Sequence, residues 1–162
     1  MSPKIAVDAA IFFFCFNSER KDIKPANMQR LLKHLSGAPR ISLFVPISVL
    51  GESVIECLRG ERGDTAHSLS ELHEMIDLWG SLNLNFLYPS TLVAEACYRL
   101  VEKYKTGDKI DHRLTDTDLV HLGYALAYKM DYFLTTDKKL RYNVPEKSSL
   151  RVIDHEEAKK LF

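Results

Sequence analysis

A chain of 162 residues that is 46% hydrophobic has enough apolar mass for one domain with a buried core. Lys plus Arg and Asp plus Glu both number 22, so the formal net charge is zero; a broadly basic nucleic-acid surface is excluded, and any such site must be local. Cys15, Cys57 and Cys97 are an odd number, far apart and without a CxxC pair, and they read as buried thiols of a reduced cytoplasmic protein rather than as a disulfide frame.

The pattern along the chain alternates short apolar runs with helical ones. KIAV (4–7) reads as a buried strand that stops at Asp8. The aromatic run after it carries Asp8 at its start and is too short to span a bilayer; no signal peptide is read. A helix is predicted over 24–36, with Pro25 in its first turn. ISLFV (41–45) reads as a second strand, punctuated by Pro46, and 48–59 as a helix. Over 64–80, Leu69, Leu72, Ile76 and Trp79 recur at helical spacing. LNFLY (84–88) reads as a third strand and 90–104 as a helix. A polar loop is expected at 105–113, a helix at 118–130, and a strand at DYFLT (131–135). A last strand, LRVI (150–153), precedes a charged C-terminal helix. No repeat or low-complexity linker interrupts this, so residues 1–162 read as one unit. Strands alternating with helices imply an α/β three-layer sandwich around a central, mostly parallel sheet.

In right-handed βαβ units, strand C-termini and helix N-termini share one edge of the sheet, where open α/β proteins place their sites. Asp8 follows the first strand. Glu52 falls in the first turn or so of the helix after the second, Asp118 in the first turn of a later helix, and Asp137 just after DYFLT. All four map to that edge. Four carboxylates in one cleft repel one another, and a divalent cation with oxygen ligands, Mg²⁺ or Mn²⁺, relieves the repulsion and can activate water against a phosphodiester. Each acid also has an ordinary structural role open to it. Asp8 can end a strand, Glu52 can favour a helix dipole, Thr115-x-x-Asp118 fits a capping box, and Asp137 can cap KKLRY. By the same edge argument Glu95 is a fifth candidate, and Glu56 could join through Glu52. His67 and His73 are six apart, which does not suit a shared metal, and read as solvated surface. Lys138, Lys139 and Arg141 are the best local basic groups for a substrate. No Gly-rich phosphate loop and no Ser/His/Asp or Cys/His arrangement is present.

The stretch DLVHLGYALAYKMDYFLTTDKKL (118–140) has an acid opening a helix, small residues at Ala125 and Ala127, and a strand ending Thr-Thr-Asp. It resembles the C-terminal signature of the PIN-domain family of metal-dependent nucleases. IAVDAAIF resembles that family's first strand and acid, giving Asp8, and VPISVLGESV its second motif, giving Glu52. The spacing to Asp137 suits the family when Asp118, not Asp116, is the third acid; Asp116 is then structural. The resemblance implies a PIN-like fold and an endoribonuclease whose Mg²⁺ or Mn²⁺ is held by Asp8, Asp118 and Asp137, directly or through water. Glu52 would hold or orient the attacking water. It also implies kinship with VapC-like toxins, an antitoxin partner and a homodimer. The chain departs from the pattern at Ala10, where the family often has Asn, Ser or Thr, and in extra residues around 60–82. Two rival readings stand beside it. One is an α/β phosphatase or receiver-like domain that uses Asp8 as a covalent phosphate acceptor. The other is a catalytically idle PIN-like scaffold that binds RNA or protein, a reading to which Ala10 lends weight.

Overall fold

The computed structural model describes residues 2–16, 23–105 and 114–161. Five short strands, β1 (Lys4–Val7), β2 (Ser42–Pro46), β3 (Leu84–Leu87), β4 (Tyr132–Leu134) and β5 (Arg151–Ile153), form one sheet of order β3-β2-β1-β4-β5. Every neighbouring pair is parallel. The helices are α1 (Ala9–Phe13), α2 (Pro25–Gly37), α3 (Ile47–Glu61), α4 (Leu69–Ser81), α5 (Thr91–Lys105), α6 (Asp116–Ala127), α7 (Lys139–Asn143) and α8 (His155–Ala158), the last followed by a 3₁₀ turn, Lys159–Leu161. Except for Lys105, which ends α5, the loop expected at 105–113 lies outside the described residues. Among the described residues no helix is long and apolar enough to cross a membrane.

Successive strand residues point to opposite faces, so each strand feeds two cores. Ile5, Val7, Leu43, Val45 and Leu134 pack with Phe12, Met28, Leu32 and Met75 on one side of the sheet. Ala6, Leu87, Phe133 and Val152 pack with Leu100, Leu122 and Leu140 on the other. That is the three-layer arrangement expected from the alternating pattern. The central strand β1 is the pivot. The chain runs from it outward through β2 to β3, then returns to its other flank with β4 and β5. The strand order therefore reverses between β1 and β4, and a crevice opens at their C-terminal ends.

Several elements differ in detail from the sequence expectation. The packed face of α4 follows the row Leu69-Leu72-Ile76-Trp79 only in part. Met75 and Leu78 are buried, and Leu72 and Trp79 pack half-buried against the same core, Trp79 edge-on to Phe12 at 5.8 Å, whereas Leu69 and Ile76 are exposed. A capping box between Ser68 and Glu71 sets its start. Helix α6 begins at Asp116, two residues earlier than predicted, with Thr115 as its N-cap. Gly60 lets α3 pass against the following loop: a Cβ there would lie 1.7 Å from the His67 carbonyl oxygen. Gly123 does the same for α5 and α6, since its Cβ would meet Cys97 Sγ at 2.3 Å.

Candidate functional site

Asp8 is the first residue beyond β1 and the N-cap of α1, and its carboxylate is wrapped by donors from three elements. Oδ1 accepts from the Ala9 amide at 2.8 Å and from His121 Nδ1–H at 2.9 Å. Oδ2 accepts from the Thr135 hydroxyl at 2.7 Å, Thr135 being the residue after β4. Asp8 is 2% exposed and His121 0%. A carboxylate has about four lone-pair positions. Three are filled, and one remains on Oδ2.

His121 comes from the second turn of α6, where the helical wheel places it in one polar stripe with Tyr124 and Tyr128. His121 and Tyr124 are buried, and only Tyr128 reaches the surface, donating its hydroxyl to the Tyr88 carbonyl at 2.8 Å. The far side of the imidazole, Nε2, lies 3.5 Å from Glu52 Oε2, an ion-pair distance that makes no hydrogen bond, and it is buried without a partner. Glu52 itself stands in the second turn of α3, not the first, because α3 begins directly after Pro46. One helical turn more brings its long side chain back over the sheet edge.

Asp118 is the third residue of α6. Its amide donates to Thr115 Oγ1 at 3.3 Å, and Thr115 Oγ1–H donates to its Oδ2 at 2.6 Å. Thr115, rather than Asp116, therefore caps the helix, and Asp116 is exposed in its first turn. Asp118 and His121 are three residues apart and share one helix face. One ligand atom from each of Asp8, Asp118 and His121 lies within 4.8 Å of the others. Asp137 sits at the rim. Its amide donates to Thr135 Oγ1 at 3.1 Å, and its Oδ1 accepts from the Lys139 amide at 2.8 Å, from one residue ahead of Lys138, the N-cap of α7, while its charge bears on Asp118.

The electrostatics follow from this crowding. Burial raises the Asp118 carboxyl above its ordinary value, and the charges of Asp8 and Asp137 add to it against the Thr115 hydrogen bond. Burial likewise raises Glu52, with Asp8 and Asp118 adding and His121 opposing. For His121 burial works against the charged ring, but the hydrogen bond and charge of Asp8, with Glu52 and Asp118 beyond it, outweigh burial and raise it. The cleft holds more negative charge than its single imidazole can balance.

Other candidates fall elsewhere. Glu95 is 63% exposed on its side chain, near Arg99 at 3.9 Å, and lines a separate cavity of about 780 Å³ beside α5 and the end of α6. Glu56 pairs with Arg59 at 2.9 Å. His67 is not solvated surface: it stacks on Phe13 at 4.1 Å and pairs with Glu71 at 3.3 Å. Of the basic trio, Lys138 and Lys139 are exposed, whereas Arg141 pairs with Asp154 and Glu157 at the start of α8. Lys138 and Arg141 line a recess of about 210 Å³ with Thr135, Asp137 and His155, continuous with the sheet edge that carries the acids.

No protein-family model matches the sequence, and no curated protein matches it. Solved structures do. A chain of VapBC2 from Rickettsia felis, bound to a DNA fragment from their promoter, superposes with a TM-score of 0.68 at 14% identity, covering 93% of this chain and 98% of that one. A chain of VapBC-1 from nontypeable Haemophilus influenzae gives 0.64 at 15% identity, over 94% and 98%. VapC20 from Mycobacterium tuberculosis, a Sarcin-Ricin loop cleaving toxin, gives 0.55 at 15% identity, over 84% and 92%. The chain has the PIN-like fold of the VapC toxins.

Proposed function

We propose that this protein is a divalent-cation-dependent endoribonuclease of the VapC type. The observation that carries the reading is the meeting of Asp8, Glu52, Asp118 and His121 in the crevice between β1 and β4, with Asp137 at its rim. The donor set fits a hard or borderline cation: carboxylate oxygens in excess, raised carboxyl groups that bind protons for want of another cation, and one buried ring nitrogen left unpartnered. Asp118, Asp137 and the free lone pair of Asp8 would hold Mg²⁺ or Mn²⁺, directly or through water. The cation, when bound, supplies positive charge that acidifies water and steadies the phosphodiester under attack.

The chain's own groups do the rest. Glu52 stands at the open side of the cleft and takes the proton of the attacking water; its raised affinity for protons suits a general base. The water oxygen bonds to phosphorus as the bond to the leaving ribose oxygen breaks. Thr115 fixes the Asp118 carboxylate, and Thr135 with the Ala9 amide fixes Asp8, so these charges need no reorganisation during the step. Lys138 and Lys139, exposed beside Asp137, are placed to meet the RNA backbone. The VapBC complexes among the structural neighbours support an antitoxin as the natural partner. The burial of Asp8 under three donors weighs against a receiver-like domain, whose acceptor carboxylate must be reached by a phosphoryl donor.

Purified protein incubated with structured RNA should cut it in Mg²⁺ or Mn²⁺ and stop in EDTA. Undiminished cutting in EDTA would falsify the cation-dependent mechanism.

A further inference from the structure

The four-acid pattern leaves His121 out. The structure does not. Its side chain is 1% exposed, and its two nitrogens do different things. Nδ1–H is committed to Asp8 Oδ1 at 2.9 Å. Nε2 faces Glu52 Oε2 and has no hydrogen-bond partner. A buried polar atom left in that state is costly unless a partner occupies the space beside it. A histidine that gives one N–H to a carboxylate and turns the other nitrogen toward a cluster of oxygen donors is the usual arrangement of a metal-bound imidazole, with the carboxylate fixing tautomer and ring orientation.

The spacing agrees. The 3.5 Å between Nε2 and Glu52 Oε2 is long for a hydrogen bond, so the nitrogen's lone pair is not taken up there. Asp118, which shares the His121 face of α6, brings an oxygen within 4.8 Å of a His121 ring nitrogen and of an Asp8 oxygen.

We propose that His121 Nε2 is a direct ligand of the divalent cation, beside Asp118, and that this nitrogen makes the site prefer Mn²⁺ to Mg²⁺. The inference rests on the cation-dependent reading above and adds to it a ligand and a selectivity. Imidazole nitrogen suits the later divalent transition metals, whereas Mg²⁺ favours an all-oxygen shell with several waters. Asp8 then has a second duty: it holds the imidazole that holds the cation.

The test is pulsed electron paramagnetic resonance of Mn²⁺ added to the full chain, with Mg²⁺ as competitor. The expected result is modulation from a directly bound ¹⁴N, and at least tenfold tighter binding of Mn²⁺ than of Mg²⁺. His121→Asn puts an amide N–H near the Nδ1 position and nothing at Nε2. It should retain the support of Asp8, lose the nitrogen modulation, weaken Mn²⁺ by tenfold or more and leave Mg²⁺ binding nearly unchanged. Mn²⁺ bound to the wild-type chain without ¹⁴N modulation would overturn the proposal while the nuclease reading stands; the ring would then be a charge lodged between Asp8 and Glu52. Failure of both ions to bind at millimolar concentration would remove the proposal and the nuclease reading together. Because the wild-type spectrum decides the ligand alone, a variant that did not fold would not rescue the idea.

Discussion

Asp116 and Asp118 lie two residues apart at the start of α6, and a paired substitution separates their roles. In Asp116→Asn the perturbation falls on an exposed first-turn side chain that does not cap the helix, because Thr115 does. The expected stability change is within about 0.5 kcal/mol, the range of a surface charge near a helix dipole. Asp118→Asn removes a charge from the cleft but leaves an acceptor oxygen for the Thr115 hydroxyl, so the cap survives. The metal-free fold should be no less stable than wild type, since burial and the charges of Asp8 and Asp137 already press on the ionised Asp118. Activity should fall by roughly 10²-fold or more, which corresponds to about 2.7 kcal/mol of lost transition-state stabilisation. The assay pairs the RNA cleavage rate in Mn²⁺ with melting temperature in EDTA for both variants. An inactive Asp116→Asn beside an active Asp118→Asn would refute the assignment. Loss of activity in both, with normal folds, would show that the two aspartates share the site.

The layers and the sheet edge were legible because they depend on local pattern. KIAV, ISLFV and the strand before Thr135 are short apolar runs bounded by polar residues, and the parallel sheet buries them on both faces. The acids could be placed because any residue just past a strand, or just inside the next helix, reaches the same edge. That rule uses sequence position alone, which is why it also admitted Glu95, an acid of the second turn of α5 that points into solvent. His121 was illegible for a related reason. On the helical wheel it falls in line with Tyr124 and Tyr128, and a line of polar-tipped residues reads as surface. What buries it is Asp8, more than a hundred residues earlier, and only the pairing of β1 with β4 brings that carboxylate over α6. One signal was present: His121 is three residues after Asp118, on the same face, and an acid and an imidazole at that spacing can share a ligand. Thr135 was quoted within Thr-Thr-Asp, yet its hydrogen bond to Asp8 depends on register across the sheet and could not be read from the chain.

Gly60→Ala should cost at least about 2 kcal/mol and lower the melting temperature by roughly 4 °C or more, because the new methyl meets the His67 backbone, whereas Gly37→Ala, with open space around it, should not. An equal response in the two would mean that the α3–α4 turn gives way easily. Thr135→Val strips a donor from the buried Asp8 carboxylate and should destabilise the protein by about 1–3 kcal/mol, while Thr135→Ser keeps the donor and should lose far less; equal denaturation midpoints for the two variants would contradict the hydrogen bond. The last prediction concerns pH in the absence of metal. Asp118 and Glu52 are raised from ordinary values of 3.8 and 4.5, and His121 from 6.5. A raised carboxyl means that the folded chain holds its proton more firmly than the unfolded one, so stability is lost as pH climbs from the unfolded value through the folded one. A raised imidazole has the same sign: its contribution is full below 6.5 and disappears above the folded value. All three slopes run downward between about pH 4 and beyond pH 7. The opposing groups, Asp154 and Glu156, are lowered and act only where acid begins to protonate them, below about pH 4.5. Melting temperature in EDTA should therefore fall from pH 5 to pH 8. Asp118→Asn should flatten the decline, and saturating Mn²⁺ should reverse it by displacing the protons that the cleft otherwise holds. A melting temperature in EDTA that rises steadily from pH 5 to pH 8 would mean that the cleft does not carry the strain its geometry implies.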